Sequence, residues 1–215
     1  MADTRMKNVV VSKPIAYGSI ATYLGRKSEE TKTHRWTIYL RGVENEDLSY
    51  MISKVEIHLH SSFANPIRVF TEPPYEVTEL GWGEFETKIH IHFHDSLEKP
   101  VEILHMLVLY PPSTQPISTK KPVISENYDE LVFNEPTDFS YRKLMAGPER
   151  AASNYPFQEQ FPTYSDIAIQ QQLTGAQEII AQQIQEAKEL VHSYELAIGD
   201  VKERIAERGK KRKSA

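Results

Sequence analysis

The stretch Lys88-Ile-His-Ile-His-Phe-His94 decides the fold class, because polar and apolar residues alternate strictly along it. Successive side chains of a β-strand point to opposite faces, so Ile89, Ile91 and Phe93 share one face and the histidines share the other. We therefore predict a strand that buries its apolar face and turns its histidines to water.

Similar short segments lie on both sides of this stretch, from Val9 to about Phe133, and turn residues separate them. The further predicted strands are 36–40, 54–59, 67–70, 101–104 and 107–110, and 125–133 is predicted as a last strand or a short turn. Many short strands without intervening helices favour an all-β sandwich over an α/β fold.

The composition limits the function. A length of 215 residues suits one domain with an appendage, and the absence of cysteine excludes disulfides, thiolate zinc sites and cysteine catalysis. The net charge of -5 argues against general or sequence-specific nucleic-acid binding. The first residues lack the apolar core of a secretory signal, and no run approaches the roughly 20 apolar residues of a membrane span. We expect a soluble intracellular protein without a membrane partner.

Charge is unevenly distributed along the chain. Residues 72–86 hold five glutamates and no lysine or arginine, whereas the chain closes with Lys210-Lys-Arg-Lys213. The acidic segment would attract a basic peptide, or it is a solvated loop. The basic tail, 210–215, is typical of a nuclear-import patch or a local nucleic-acid contact, although lysine-rich termini also serve as solubilising ends.

The C-terminal third changes character. Residues 143–165 have the composition of a linker, with aromatic residues that dock on the sandwich or on a partner. A helix is predicted over 166–209, with Ser165-Asp166 as its N-cap candidate, because apolar residues from Ile169 to Ile205 recur every three or four positions with one stutter. This coiled-coil seam requires a second helix, from another copy or another protein, unless it folds back on the sandwich.

The candidate site combines His60-Ser-Ser-Phe63 with Glu79-Leu-Gly-Trp-Gly-Glu-Phe85. No nucleophile–base pair is evident there, so the chemistry indicated is recognition. A flat acylated amine could stack between Phe63 and Trp82, whereas a lysine ammonium would lose too much hydration. The competing interpretation is that these aromatics are ordinary core residues and that the serine belongs to a turn.

Hydrogen bonds complete this hypothesis. The Ser62 hydroxyl would hold the acyl amide, with His60 in reach to orient it, and the glycines on either side of Trp82 would leave its backbone amide open to a ligand carbonyl. The ligand indicated is an acyl-lysine.

The histidines at 90, 92 and 94 allow a metal-binding alternative, because they share one strand face about 7 Å apart. That face is the outer one, so we predict surface histidines and no metal site. The sequence also lacks a phosphate loop, a dinucleotide fingerprint and a catalytic serine motif. We therefore assign no catalytic residue and no cofactor.

Eight short motifs together, in this order, resemble the YEATS family over residues 8–142. They are Lys13-Pro-Ile-Ala-Tyr-Gly18, Thr33-His-Arg-Trp-Thr37, Asn45-Glu-Asp-Leu-Ser49, Leu59-His-Ser-Ser-Phe63, Asn65-Pro66, Pro73-Pro-Tyr-Glu76, Gly81-Trp-Gly-Glu-Phe85 and Tyr128-Asp-Glu130. With its C-terminal coiled coil, the chain looks most like the glioma-amplified-sequence type of YEATS subunit.

The resemblance implies an immunoglobulin-like sandwich that reads acetyl- or crotonyl-lysine on histone tails. It implies a non-enzymatic nuclear chromatin regulator, a subunit of remodelling and histone acetyltransferase complexes with a role in transcription regulation. The helix would join it to other subunits or to a second copy. The implied acyl-lysine-binding positions are His60, Ser62, Phe63, Gly81, Trp82, Gly83, Glu84 and Phe85.

Four positions depart from the family pattern. Thr31 and Lys32 stand where family members commonly carry an aromatic residue or a histidine, which removes one wall and places a cation near the entrance. Ser61 replaces an acidic residue, and Leu80 replaces threonine or serine. A scaffold that only docks proteins, with a vestigial pocket, is the alternative to a reader.

Overall fold

A computed structural model describes residues 4–25, 31–112, 115–148, 154–164 and 166–213, without the side chains of 168, 169 and 205–213. The chain divides into two compact units, one that ends at Tyr164 and one that begins at Ser165. The first unit contains the β-strands, and the second contains a single long helix.

The strands of the first unit are β1 (Val10–Tyr23), β2 (His34–Gly42), β3 (Ile52–His58), β4 (Ile67–Phe70), β5 (Tyr75–Gly81), β6 (Glu86–Phe93), β7 (Val101–Met106) and β8 (Val123–Asn134). They form a sandwich of two antiparallel four-stranded sheets, in the orders β5-β2-β1-β8 and β4-β3-β6-β7. The predicted all-β immunoglobulin-like sandwich followed by a helix is confirmed.

The core lies between the two sheets, where alternation directs the apolar side chains. In β6, Ile89 and Ile91 are fully buried, as the period-two pattern predicts. They meet fully buried residues of the facing sheet, among them Trp36, Ile38 and Leu40 of β2. Each fully buried aliphatic side chain contributes about 1.5–3 kcal/mol to stability.

The segment 107–110 was predicted as a strand, and this prediction is wrong. Leu107 and Leu109 are fully buried, but no strand continues beyond Met106 at this end of β7. The Leu107 amide donates to the Phe85 carbonyl at 3.0 Å instead. The apolar alternation therefore reflects burial beneath a loop, which gives the same sequence pattern as strand pairing.

A helix that the sequence analysis missed, α1 (Asp138–Ala146), follows β8. Thr137 caps it by accepting a hydrogen bond from the Ser140 amide, and both hydroxyls donate to the Asp95 carboxylate. Leu144 is buried in the core. The helix thus occupies the first four residues of the range 143–165 that was predicted as a linker.

Residues 154–164 lie against the outer face of the β5-β2-β1-β8 sheet. The Tyr155 hydroxyl donates to the Leu40 carbonyl at 2.8 Å, and the Phe161 ring lies 4.5 Å from the Arg41 guanidinium. Beneath Phe161, Arg41 pairs with Glu126 at 2.7 Å, and both side chains are almost completely buried. This part of the predicted linker therefore shields an ion pair from water.

The histidines of β6 lie on the outer face of their sheet, as predicted, and contact neighbouring side chains. The His90 ring lies 3.2 Å from Glu102, and the His92 ring lies 3.6 Å from Glu56. His94, just past the strand, lies 2.9 Å from the Ser49 carbonyl. Among the residues that the structure describes, no three histidine or carboxylate side chains cluster in a way that could hold a metal ion.

The second unit is the helix α2 (Ile167–Lys213). The Gln170 amide donates to the Asp166 carbonyl at 2.8 Å, whereas the N-cap candidate Ser165 lies outside the described residues. The described seam residues other than alanine expose more than half of their surface: Leu173, Ile180, Ile184, Val191, Tyr194, Ile198 and Val201. No helix within the described ranges is long and apolar enough to cross a membrane.

The buried His105 makes the sandwich sensitive to acid. Its Nε2 lies 3.0 Å from the Ser19 hydroxyl, and burial lowers its pKa from 6.5 to about 4. Below pH 6.5 the unfolded chain binds a proton that the native histidine does not bind, so stability falls as the pH drops toward 4. We expect a loss of about 3 kcal/mol across this window.

Thermal unfolding between pH 7 and pH 4 measures this loss, and the variant H105Q should flatten the curve relative to wild type. A parallel dependence in wild type and H105Q would contradict the assignment.

Candidate acyl-lysine site

Three strands bring the two site motifs to one end of the sandwich. β3 ends at His58, β5 ends at Gly81, and β6 begins at Glu86, so the loops 59–66 and 82–85 meet there. Between them lies a cavity of about 480 Å³. This volume is within the range of small-molecule binding sites.

The structure brings together all the residues predicted for the site. The cavity is lined by Thr31, His60, Ser62, Phe63, Leu80, Gly81, Trp82, Gly83, Glu84 and Phe85. Lys32, next to Thr31, is exposed and does not line the cavity. The cation that the sequence places near the entrance is thus outside the walls.

Trp36 supports the cavity from below and was not predicted as a site residue. Its indole is fully buried and makes edge contacts with the rings of Phe63 and Phe85, at centroid distances of 5.6 and 5.7 Å. Phe63 and Phe85 also contact each other at 5.7 Å. The signal in the sequence is the tryptophan of the Thr33-His-Arg-Trp-Thr37 motif, which indicated a strand and the family resemblance but not a site residue.

The Ser62 hydroxyl has a defined direction. The Ser62 amide donates to Nδ1 of His60 at 3.2 Å, and the hydroxyl lies 2.9 Å from the same nitrogen. Because an amide can only donate, Nδ1 is the unprotonated nitrogen, and the hydroxyl also donates to it. The oxygen lone pairs of Ser62 are therefore left to accept a hydrogen bond from a ligand.

The Trp82 side chain forms an exposed wall, with 62% of its surface accessible. Hydrogen bonds hold the backbone next to Trp82 in place. The Glu84 carboxylate accepts hydrogen bonds from the Leu109 and Tyr110 amides at 2.7 and 3.2 Å, and the Tyr110 hydroxyl donates to the Trp82 carbonyl at 3.3 Å. Glu84 lines the cavity and also anchors its wall.

Comparison with known proteins agrees with this geometry. The YEATS family model matches residues 31–111. Transcription initiation factor TFIID subunit 14b of Arabidopsis thaliana is 43% identical over 146 residues, which cover 67% of this chain and 54% of that protein. Protein AF-9 homolog of Eremothecium gossypii is 41% identical over 151 residues, which cover 67% of this chain and 73% of that protein.

Solved structures of the family are also similar. The Yaf9 YEATS domain bound to H3K27ac is 40% identical, with a TM-score of 0.58, and the match covers 66% of this chain and 99% of that one. The Yaf9 YEATS domain recognizing an H3K122suc peptide gives the same identity and a TM-score of 0.57.

The fold and the similarity define the class of protein: an immunoglobulin-like sandwich similar to domains solved with acylated histone peptides. The chain belongs to the YEATS family. It spans about half the length of the plant relative and of the Emericella nidulans AF-9 homolog, 54% and 55% respectively.

The two glycines beside Trp82 provide a test of the cavity wall. A Cβ on Gly81 would lie 3.0 Å from Nε1 of Trp36 and 3.8 Å from the Phe63 ring, whereas one on Gly83 would meet nothing within 4 Å. We expect G81A to displace the Trp36 indole and to destabilise the domain by about 1–3 kcal/mol. G83A should change stability by less than about 0.5 kcal/mol.

Denaturant unfolding of both variants measures the difference. Equal stability of G81A and G83A would show that the wall is not packed as the structure describes it.

Proposed function

We propose that this chain is a non-enzymatic reader of acyl-lysine, with His60, Ser62, Phe63, Gly81, Trp82, Gly83, Glu84 and Phe85 as its binding residues. One observation carries the proposal: residues from two separate loops line a single cavity that offers aromatic faces and an oriented serine oxygen. An acyl-lysine side chain ends in a flat amide, which can stack on the aromatic faces and needs an acceptor such as the serine oxygen for its N–H.

The binding mode follows from the chemistry of the walls. The acyl group stacks between Phe63 and Trp82, where the aromatic faces contribute about 0.5–1.5 kcal/mol beyond the area they bury. The amide N–H donates to the Ser62 oxygen, and the acyl carbonyl accepts from the Trp82 backbone amide. An unmodified ammonium has only donors and loses its hydration, so it is rejected.

The acidic segment contributes attraction toward a basic tail. Glu79 pairs with Arg68 at 2.6 Å, and Glu84 accepts two backbone hydrogen bonds. The exposed carboxylate of Glu86, at the start of β6 and the cavity end of the sandwich, remains to raise the encounter rate with a histone tail, whereas Glu72 lies at the opposite end, between β4 and β5.

The relatives supply the biological setting of the proposal. Their names describe a transcription initiation factor subunit and AF-9 homologs, and one solved relative, the Yaf9 YEATS domain, binds two different acylated histone H3 peptides. We infer a nuclear subunit of chromatin remodelling and acetyltransferase complexes, of the glioma-amplified-sequence type, that regulates transcription. The reader domain spans 8–142, and the basic tail 210–215 serves nuclear import. The alternative function is a scaffold that only docks proteins and has a vestigial pocket.

Titration of the full chain with acetylated, crotonylated and unmodified histone H3 peptides tests the reader function. We expect both acylated peptides to bind more tightly than the unmodified one. W82A should lose this preference with a drop in affinity of at least about tenfold, because the substitution removes a stacking face from the centre of the site. Mass spectrometry should find the acyl groups intact.

The control for this titration is F139A, which removes an exposed aromatic residue of α1. It should bind all three peptides as wild type does. Equal binding of acylated and unmodified peptides, or an unchanged preference in W82A, would favour the scaffold instead.

We also propose that α2 pairs with a second helix, in another copy or in another subunit. Its exposed seam residues recur at coiled-coil spacing, and Gly175 and Gly199 each cost about 1 kcal/mol, so an isolated helix would be weak. Burial of the seam against a partner offsets that cost.

Light scattering of the full chain measures self-pairing. Pairing between copies gives a mass of twice 24.7 kDa, and V191E then returns the chain to 24.7 kDa by placing a charge in the seam. H192E, one position away from the seam, is the control and should keep the larger mass. A mass of 24.7 kDa for wild type would exclude pairing between copies.

A further inference from the structure

We propose that Thr33 and Tyr110 are positioning residues that orient the Trp82 backbone amide toward the acyl-lysine. This inference rests on the proposed reader function and assigns a role to two residues outside the cavity lining. The evidence is a hydrogen bond to each of the two peptide groups that flank the Trp82 Cα atom.

The first peptide group joins Gly81 to Trp82. Its carbonyl accepts a hydrogen bond from the Thr33 hydroxyl at 3.3 Å. In a trans peptide the carbonyl and the N–H point in opposite directions. The Trp82 N–H therefore points away from Thr33 and from β2, which begins directly after Thr33.

The second peptide group joins Trp82 to Gly83. Its carbonyl accepts from the Tyr110 hydroxyl at 3.3 Å. Tyr110 is itself fixed at two points, because its amide donates to Glu84 at 3.2 Å and its ring contacts His34 edge-on at a centroid distance of 5.0 Å. A fixed donor thus sets the rotation of this group.

His34 determines which way the Thr33 hydroxyl donates. The hydroxyl lies 2.9 Å from Nδ1 of His34, and Nε2 of His34 is buried without a hydrogen-bond partner among the described residues. A proton on Nε2 would be a buried donor with no acceptor, so the neutral ring carries its proton on Nδ1. Nδ1 then donates to Thr33, and the single Thr33 proton goes to the Gly81 carbonyl.

Burial supports the neutral form of His34. It lowers the pKa of the ring, against a smaller opposing effect of the Glu84 carboxylate, and the rings of Tyr23 and Tyr110 lie at centroid distances of 5.2 and 5.0 Å. The chain of donors therefore has one direction, from His34 through Thr33 to Gly81.

Holding both peptide groups fixes both backbone angles at Trp82. The direction of its N–H and the direction of its Cα–Cβ bond are set before a ligand arrives. A loop that is already ordered does not lose this freedom on binding, so affinity rises without any further contact to the ligand.

The experiment removes one hydroxyl at a time. We expect T33V and Y110F each to weaken binding of an acetylated histone H3 peptide by about threefold to tenfold, the range for one hydrogen bond. T33S keeps the hydroxyl and should bind as wild type does. In nuclear magnetic resonance spectra of the free protein, the Trp82 amide should show exchange broadening in T33V and Y110F but not in T33S.

Two matched controls remove hydroxyls elsewhere. T78V removes a hydroxyl that pairs with Thr37 at 2.7 Å, and Y128F removes one that donates to Glu130 at 3.0 Å. Both should leave the affinity and the Trp82 amide signal unchanged. Circular dichroism identifies any variant that fails to fold. If T33V or Y110F fails to fold, the other variant still tests the positioning role.

The outcomes separate this inference from the proposed function. Wild-type affinity and a sharp Trp82 amide signal in both T33V and Y110F, while W82A still loses its preference for acylated peptides, would overturn the positioning role and leave the reader intact. Equal binding of acylated and unmodified peptides by wild type would overturn the reader function, and the positioning role with it.

Discussion

The contact between the Trp36 indole and the Phe63 ring is the interaction on which the site depends. Trp36 belongs to the core by burial and to the cavity by contact, because its edges touch both phenyl rings at the cavity floor. Gly81 lies so close to its Nε1 that a side chain there would press on it. The stability of the sandwich and the shape of the cavity therefore cannot be changed independently of each other at this point.

Much of the fold and of the cavity lining could be predicted from the sequence, because strand alternation and short motifs are local signals. Ile89 and Ile91 are buried as the alternation indicates, and the two loops meet where the motifs indicate. The same reasoning failed at Leu107 and Leu109. Burial beneath a loop produces the same alternation as burial in a sheet, and only the backbone partner, here the Phe85 carbonyl, separates the two.

Long-range polar contacts could not be predicted, because their partners are far apart in sequence. The Arg41–Glu126 pair joins strands separated by 85 positions, and the Phe161 ring that covers it belongs to a segment with the composition of a linker. A buried ion pair is costly unless its remaining donors are satisfied. Here the carbonyls of Val43 and Pro162 accept from Arg41, so the segment contributes a hydrogen bond, through Pro162, as well as cover.

The same distinction, between local sequence signals and long-range contacts, separates the residues that a ligand would contact from the residues that hold the site in place. A motif can specify Ser62 and Trp82, because a few consecutive residues are enough to indicate their chemistry. It cannot specify Tyr110, whose hydroxyl reaches the Trp82 carbonyl across 28 positions and whose amide depends on Glu84. The lining of this cavity is thus a property of short stretches of sequence, whereas its rigidity is a property of the fold. For that reason an exchange of the lining residues alone onto another sandwich would reproduce the chemistry of the slot without its affinity.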